Sequence, residues 1–244
     1  MKKSTLALAA AAVLTALPGL SHADDMFSFN VGAVTDYRYR GISQSRLKPA
    51  VQGGVDVALP AGFYVGTWAS SIKWIKDAGG GADAEVDLYG GWKGEVAKGL
   101  TLDVGVLRYQ YPSHDLVVSP NTTELYGAVS YGPVTAKYSH SVTNLFGFAD
   151  SKNSGYFDVS ATFDVSGFAV TPHVGYQHVS HNSDFSYTDV SLTVGKEVVK
   201  GLTVSLAAVA TDTKSINGTK AYASPANGKN LGRAGLVAGV KYVF

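Results

Sequence analysis

The chain has 244 residues, a formal net charge of +1, 45% hydrophobic residues and no cysteine. Near-neutral charge without a basic run gives no argument for nucleic acid, and none is expected as a partner. The missing thiols exclude a disulfide-stapled secreted domain and thiolate metal sites.

In chain order, the first segment is "MKKSTLALAAAAVLTALPGLSHADD": two lysines, an apolar run from Leu6 to Leu17, a Pro18-Gly19 break and a Ser21-His22-Ala23 cleavage site. This pattern reads as a cleaved secretory signal peptide over 1–23. The apolar run is shorter than the roughly 20 residues that a spanning helix requires. The remaining chain, 24–244, is long enough for one all-β domain.

Beyond Asp24 the recurring signal is alternation with period two. Phe27, Phe29, Val31, Ala33, Thr35, Tyr37 and Tyr39 share one face, and Ser28, Asn30, Gly32, Val34, Asp36, Arg38 and Arg40 share the other. About twelve such segments follow one another, with the length of tilted membrane-crossing strands. The expected spans are 26–40, 49–59, 63–75, 84–94, 100–111, 122–131, 134–143, 155–165, 168–179, 187–198, 202–212 and 231–244.

Connections alternate between tight links ("PAG", "EVAKG", "GP", "SG", "VKG") and longer polar loops such as "GISQSRLK" and "DTKSINGTKAYASPANGKN". Short periplasmic turns and longer extracellular loops mark an outer-membrane antiparallel β-barrel, which is the fold class expected here. The ending "LVAGVKYVF", with Tyr242 and Phe244 on the apolar face, resembles the C-terminal assembly signal of such barrels. Outer-membrane lipid and the barrel-assembly machinery are the partners this implies. Tyr37, Tyr39, Trp92, Tyr138, Phe163, Phe168, Tyr176, Tyr242 and Phe244 are expected on the lipid face near the two interfaces.

Two segments fit the pattern poorly. "FYVGTWASSIKW" carries Tyr64, Trp68, Ile72 and Trp74 on one face, and "LTLDVGVLRYQY" changes its apolar face near Leu107, which predicts a bulge.

In a closed barrel the polar face lines the lumen. Strand direction then gathers Arg38, Arg40 and Arg233 into a basic wall toward the extracellular half, opposite an acidic wall of Glu85, Asp87, Glu124, Asp158 and Asp189. Opposed walls create a transverse field that selects ions and dipolar solutes. The same charges could instead pair and plug the lumen. Inward glycines (Gly32, Gly54, Gly175, Gly239) leave space and point weakly to a partly open lumen.

No Gly-x-Ser-x-Gly element accompanies His114, His140, His173, His178 and His181, and no acyl-transfer pair is visible, so no enzyme is expected. His178 and His181 read as surface residues, and neither a resident metal nor a cofactor is expected.

The stretch "TDYRYRGISQ" (35–44) resembles the T-D-Y-x-x-R-G-x-S-Q segment of the TorF-family porins, also described as the Gcw_chp family, with "GFYVGTWASSI" and "GVLRYQYP" as further similar segments. Asp36, Arg40, Gly41, Ser43 and Gln44 match the motif. The resemblance spans essentially the whole mature chain and implies an outer-membrane barrel acting as a porin, without assigning roles to those residues. The expected function is a channel for passive diffusion of small hydrophilic solutes or ions. The alternative is a closed structural or adhesive barrel whose long last loop, 213–230, binds an outside partner.

Overall fold

The computed structural model describes residues 26–244; the expected signal peptide lies outside these residues. The described chain forms a closed antiparallel barrel of twelve strands. These are β1 (Phe27–Val34), β2 (Ala50–Ala58), β3 (Phe63–Ser71), β4 (Ala84–Ala97), β5 (Leu100–Gln110) and β6 (Thr122–Tyr131). They continue with β7 (Val134–Ser141), β8 (Gly155–Ala161 with Phe163–Val165), β9 (Phe168–His178), β10 (Tyr187–Val199), β11 (Leu202–Thr211) and β12 (Gly235–Val243). Each strand pairs with its sequence neighbours, and β1 pairs with β12 to close the ring. Closure leaves no unpaired edge, which is what a sheet crossing hydrocarbon requires.

The seam shows how sequence enforces closure. Phe29 and Phe244 exchange backbone hydrogen bonds of 3.0 Å in both directions. Their rings stack on the outside with centroids 6.0 Å apart, and Tyr242 stacks against Phe244 in turn.

The period-two pattern sorts the two faces. Outward residues such as Leu88, Val106, Leu125, Phe157, Val190 and Leu206 are exposed, forming an apolar exterior suited to lipid. Tyr138, Tyr176, Phe163, Phe168, Tyr242 and Phe244 are exposed there as expected. Trp92 lies by the β2–β3 turn, its indole Nε1 donating to the Ala61 carbonyl at 2.8 Å.

Inward glycines face aromatic partners across the ladder. Trp68 pairs with Gly54, Tyr64 with Gly91, Tyr89 with Gly66 and Tyr126 with Gly105. The tyrosine rings lie over these glycines so closely that a Cβ on Gly66, Gly91 or Gly105 would sit under 3.0 Å from the ring. Inward glycine therefore does not leave the lumen open, contrary to expectation; it makes room for a flat ring. Gly175 is covered in the same way by Tyr156.

The predicted bulge at Leu107 is absent. The β5–β6 register runs unbroken from Leu100↔Tyr131 to Tyr109↔Thr122, and the irregularities fall at Glu95/Ala97 and Glu197/Val199 beside the tight turns. Leu107 and Tyr109 simply point inward, as do Tyr64 and Trp68, because this lumen is packed. β3 ends at Ser71, and Trp74 begins a short helix, α1 (Trp74–Asp77), in the following loop.

The largest departure concerns the first segment. β1 stops at Val34, and residues 35–49 turn inward instead of extending the strand to residue 40. Tyr37 is 1% exposed and belongs to a buried cluster with Trp68, Ile72, Ile75, Tyr109 and Tyr111. Tyr39 packs against Tyr109 and Phe146. Neither tyrosine faces lipid.

Candidate channel constriction

The inward turn is built by Asp36. Its Oδ1 accepts from Ser43 Oγ at 2.5 Å and Ser45 Oγ at 3.2 Å, and its Oδ2 accepts from Arg38 Nε at 2.5 Å. One carboxylate collecting three local donors outcompetes continued strand pairing for this stretch. Arg38–Tyr39 and Ile42–Ser43 then pair as a two-residue hairpin.

Arg40 and Gly41 form its tip, with φ of 47° and 77°. Positive φ at both central residues is the geometry of a type I′ turn. Gly41 is required twice: for its backbone angle, and because a Cβ would sit 2.2 Å from Thr211 Oγ1 and 2.6 Å from Asp189 Cβ. Arg40 holds positive φ with a full side chain, a costly state for such a residue.

That side chain spans the lumen. Arg40 Nη2 lies 2.7 Å from Glu124 Oε2 and Nη1 lies 3.0 Å from Oε1, both on β6. Nη1 also donates to Gln177 Oε1 of β9 at 2.8 Å, and the guanidinium sits 4.3 Å from the Tyr156 ring centroid on β8. Arg38 fastens the hairpin base to the last loop, donating to the carbonyls of Leu231 at 2.9 Å and Arg233 at 3.1 Å. Gln44 carries the hairpin into α1, its carbonyl accepting from the amides of Lys73 and Trp74. The motif residues Asp36, Arg40, Gly41, Ser43 and Gln44 thus fall on one inserted hairpin.

The expected acidic residues Glu85, Asp87, Glu124, Asp158 and Asp189 all point inward near the long-loop end and are buried. The expected basic wall does not form. Arg38 is paired within its own loop, Arg40 crosses to Glu124, and the Arg233 side chain is exposed, only its carbonyl joining the site. The reason is the break at Val34, which removes Arg38 and Arg40 from the strand parity that would have placed them on a wall.

Tyrosines are the residues that period-two reasoning missed. Tyr111 donates to Glu85 Oε2 at 2.7 Å, Tyr64 to Asp103 Oδ1 at 2.6 Å, Tyr89 to Asp56 Oδ1 at 2.5 Å and Tyr156 to Asp189 Oδ2 at 2.9 Å. Tyr37 donates to Glu85 as well. Each hydroxyl gives a lumen carboxylate a charge-assisted bond. The signal was available for three of them: Tyr89, Tyr126 and Tyr156 share the parity of Glu85, Glu124 and Asp158 on their own strands. Among the histidines, His173 enters this network, its Nε2 3.3 Å from Asp158 Oδ2 and 3.3 Å from the Tyr156 hydroxyl. His178 is exposed, and exposed His181 touches the Asp150 carbonyl. Among the described residues, no cluster able to hold a metal ion occurs.

Beneath the hairpin tip, a cavity of about 30 Å³ is lined by Arg40, Gly41, Asp158, His173 and Asp189 among others. A second of similar size lies between Tyr37, Asp87, Lys137 and Tyr156. Each matches roughly one water's share of liquid volume, about 30 Å³.

A closed twelve-stranded antiparallel barrel with an apolar exterior and a loop folded into a charged lumen has the architecture of an outer-membrane β-barrel. The chain belongs to the family described as "Bacterial protein of unknown function (Gcw_chp)", which it matches over residues 21–244. No curated protein matches the sequence. Among solved structures, the chain is similar in fold to KdgM porin, with a TM-score of 0.57 at 7% identity, covering 89% of this chain and 99% of that one. NanC porin is also similar, with a TM-score of 0.53 at 11% identity over 89% and 98% of the two chains. One KdgM structure is described as a complex with disordered oligogalacturonate.

Proposed function

We propose that this protein is an outer-membrane, porin-like channel of narrow bore, exported by its signal peptide, in which the first-loop hairpin is the constriction. The observation that carries the reading is Arg40 reaching across the lumen to Glu124 and Gln177 from a hairpin anchored at Asp36. The long loops face outward and the tight turns face the periplasm. The porin-like architecture supports this reading, and the finer assignment to the TorF-family porins is part of the same proposal.

The charges favour cations and neutral solutes. Asp56, Glu85, Asp87, Asp103, Asp158 and Asp189 face the lumen beyond the Arg40–Glu124 pair, against Lys93, Lys137 and Lys241. A polyuronate such as the oligogalacturonate bound by KdgM porin would meet repulsion here, so a different solute class is proposed. Tyr242 and Phe244, which close the seam, are proposed as the assembly signal.

A liposome-swelling assay tests solute class. Proteoliposomes should swell in small neutral or cationic osmolytes and resist anionic ones of the same size; preferential uptake of anions would contradict the charge argument.

The closed-barrel alternative has its own support, since the hairpin's polar groups are mostly satisfied internally and the cavities beside it hold about one water each. Deleting residues 213–230 separates the two readings: a channel keeps its permeability, and an adhesive barrel loses its partner.

A further inference from the structure

The outer face of the barrel departs from its apolar character near the long loops. Arg108 of β5 has the parity of the exposed outward residues Val104 and Val106, and it lies partly buried two residues before the strand ends at Gln110. Across the ladder it pairs with exposed Leu88 of β4 and with Thr123 of β6. On the described strands the other outward cation is Lys196, toward the tight-turn end of β10. Arg108 is thus the outward cation of the half that carries the long loops.

Its guanidinium is oriented but not neutralised. Nη1 donates to Thr123 Oγ1 at 2.9 Å and Nε to Gln110 Oε1 at 3.3 Å. Among the described residues no carboxylate forms an ion pair with it. Glu124, next to Thr123 in sequence, points to the opposite face of the sheet, where Arg40 matches it. Arg108 Nη2 makes no hydrogen bond and yet is not among the buried unpaired atoms, so its N–H groups open to the exterior. Gln110 and Thr123 hold the guanidinium by accepting, and the hydrogens they leave free, on the amide and the hydroxyl, are donors as well.

A cluster that offers only donors around an uncompensated positive charge selects an anion, and the planar fork of arginine matches the oxygens of a phosphate. Position narrows the choice. The cluster borders exposed Leu88, Val106 and Leu125, so its anion sits at the edge of an apolar belt. A small free anion gains nothing from that belt, whereas a lipid covers it with acyl chains and brings its phosphate to the same height.

We propose that Arg108, Gln110 and Thr123 form a docking site for the phosphate of an anionic lipid in the leaflet on the long-loop side, its acyl chains lying over Leu88, Val106 and Leu125. The site rests on the barrel spanning a membrane, as the proposed function has it, and is independent of conduction: a silent barrel still binds the lipid, and a barrel without lipid preference can still conduct.

Native mass spectrometry of the folded full barrel in detergent, titrated with phosphatidic acid or with phosphatidylcholine of the same acyl chains, tests this. The first phosphatidic acid should bind about tenfold more tightly than phosphatidylcholine, the effect of one charge-assisted contact. Arg108→Gln should abolish that preference, whereas Lys196→Gln and Lys229→Gln, which remove exposed cations elsewhere, should leave it unchanged. Millimolar inorganic phosphate should not displace the lipid. Equal affinity for the two lipids overturns the proposal, as does a preference that survives Arg108→Gln or is lost in either lysine variant. Displacement by inorganic phosphate, or a dimer that carries no lipid, also overturns it. Should Arg108→Gln fail to fold, Arg108→Lys takes its place: it keeps the charge without the fork and should lose most of the preference, and an undiminished preference there contradicts the site.

Discussion

Arg40 and Glu124 form a two-pronged ion pair, with side chains 3% and 2% exposed, that joins the tip of an inserted hairpin to the barrel wall. Removing one partner leaves a buried charge uncompensated, which costs about 3–5 kcal/mol, whereas replacing both by apolar groups is often neutral. Arg40→Ala and Glu124→Gln should each lower the urea midpoint of the refolded barrel strongly, and Arg40→Met with Glu124→Leu should restore most of it. Equal loss in the double variant would show that the pair is not what holds the hairpin.

Gly41→Ala attacks the same hairpin without touching a charge. The new methyl meets Thr211 and Asp189 at a residue with φ of 77°. Strain of this kind costs about 1–3 kcal/mol, so the tip should be displaced from the wall. Protease cleavage within residues 36–46 of the folded barrel should become faster; cleavage at the unaltered rate contradicts the close packing.

Asp87 lines the small cavity between Tyr37, Lys137 and Tyr156, and its Oδ1, like Asp103 Oδ2, has no hydrogen-bond partner, so in the proposed channel it is a carboxylate whose charge an ion would meet. Asp87→Asn should lower the cation-to-anion permeability ratio, measured as a reversal potential across a salt gradient. The change should shrink at high salt, because the Debye length falls from about 10 Å at 0.1 M to about 3 Å at 1 M.

The register itself is testable on β11. Leu206 points outward and is 50% exposed, whereas Ser205 points inward. Lysine on the lipid face near mid-depth costs about 2–4 kcal/mol, and lumen positions tolerate polar groups. Leu206→Lys should lose that much folding stability in lipid and Ser205→Lys much less; the reverse order would mean the faces are exchanged.

The barrel was legible because its physics is local. Alternation in segments such as 202–212 and short links such as "SG" fix face and direction residue by residue, and β11 and β9 fall within a residue or so of expectation. The inserted hairpin was not legible in the same way. Asp36, Tyr37 and Arg38 continue the alternation of β1 perfectly on paper, and only the convergence of Arg38, Ser43 and Ser45 on one carboxylate breaks the strand. Likewise Leu107 and Trp68 looked like pattern faults because an inward face was assumed to be wet. They mark where the lumen packs against the hairpin.

The most direct test of the hairpin as the constriction of a channel is single-channel recording in planar bilayers, comparing the folded unaltered barrel with Arg40→Ala. Small discrete conductance steps from the first and larger steps from the second are predicted. Silence from both correctly folded proteins, or identical conductance, would contradict the account.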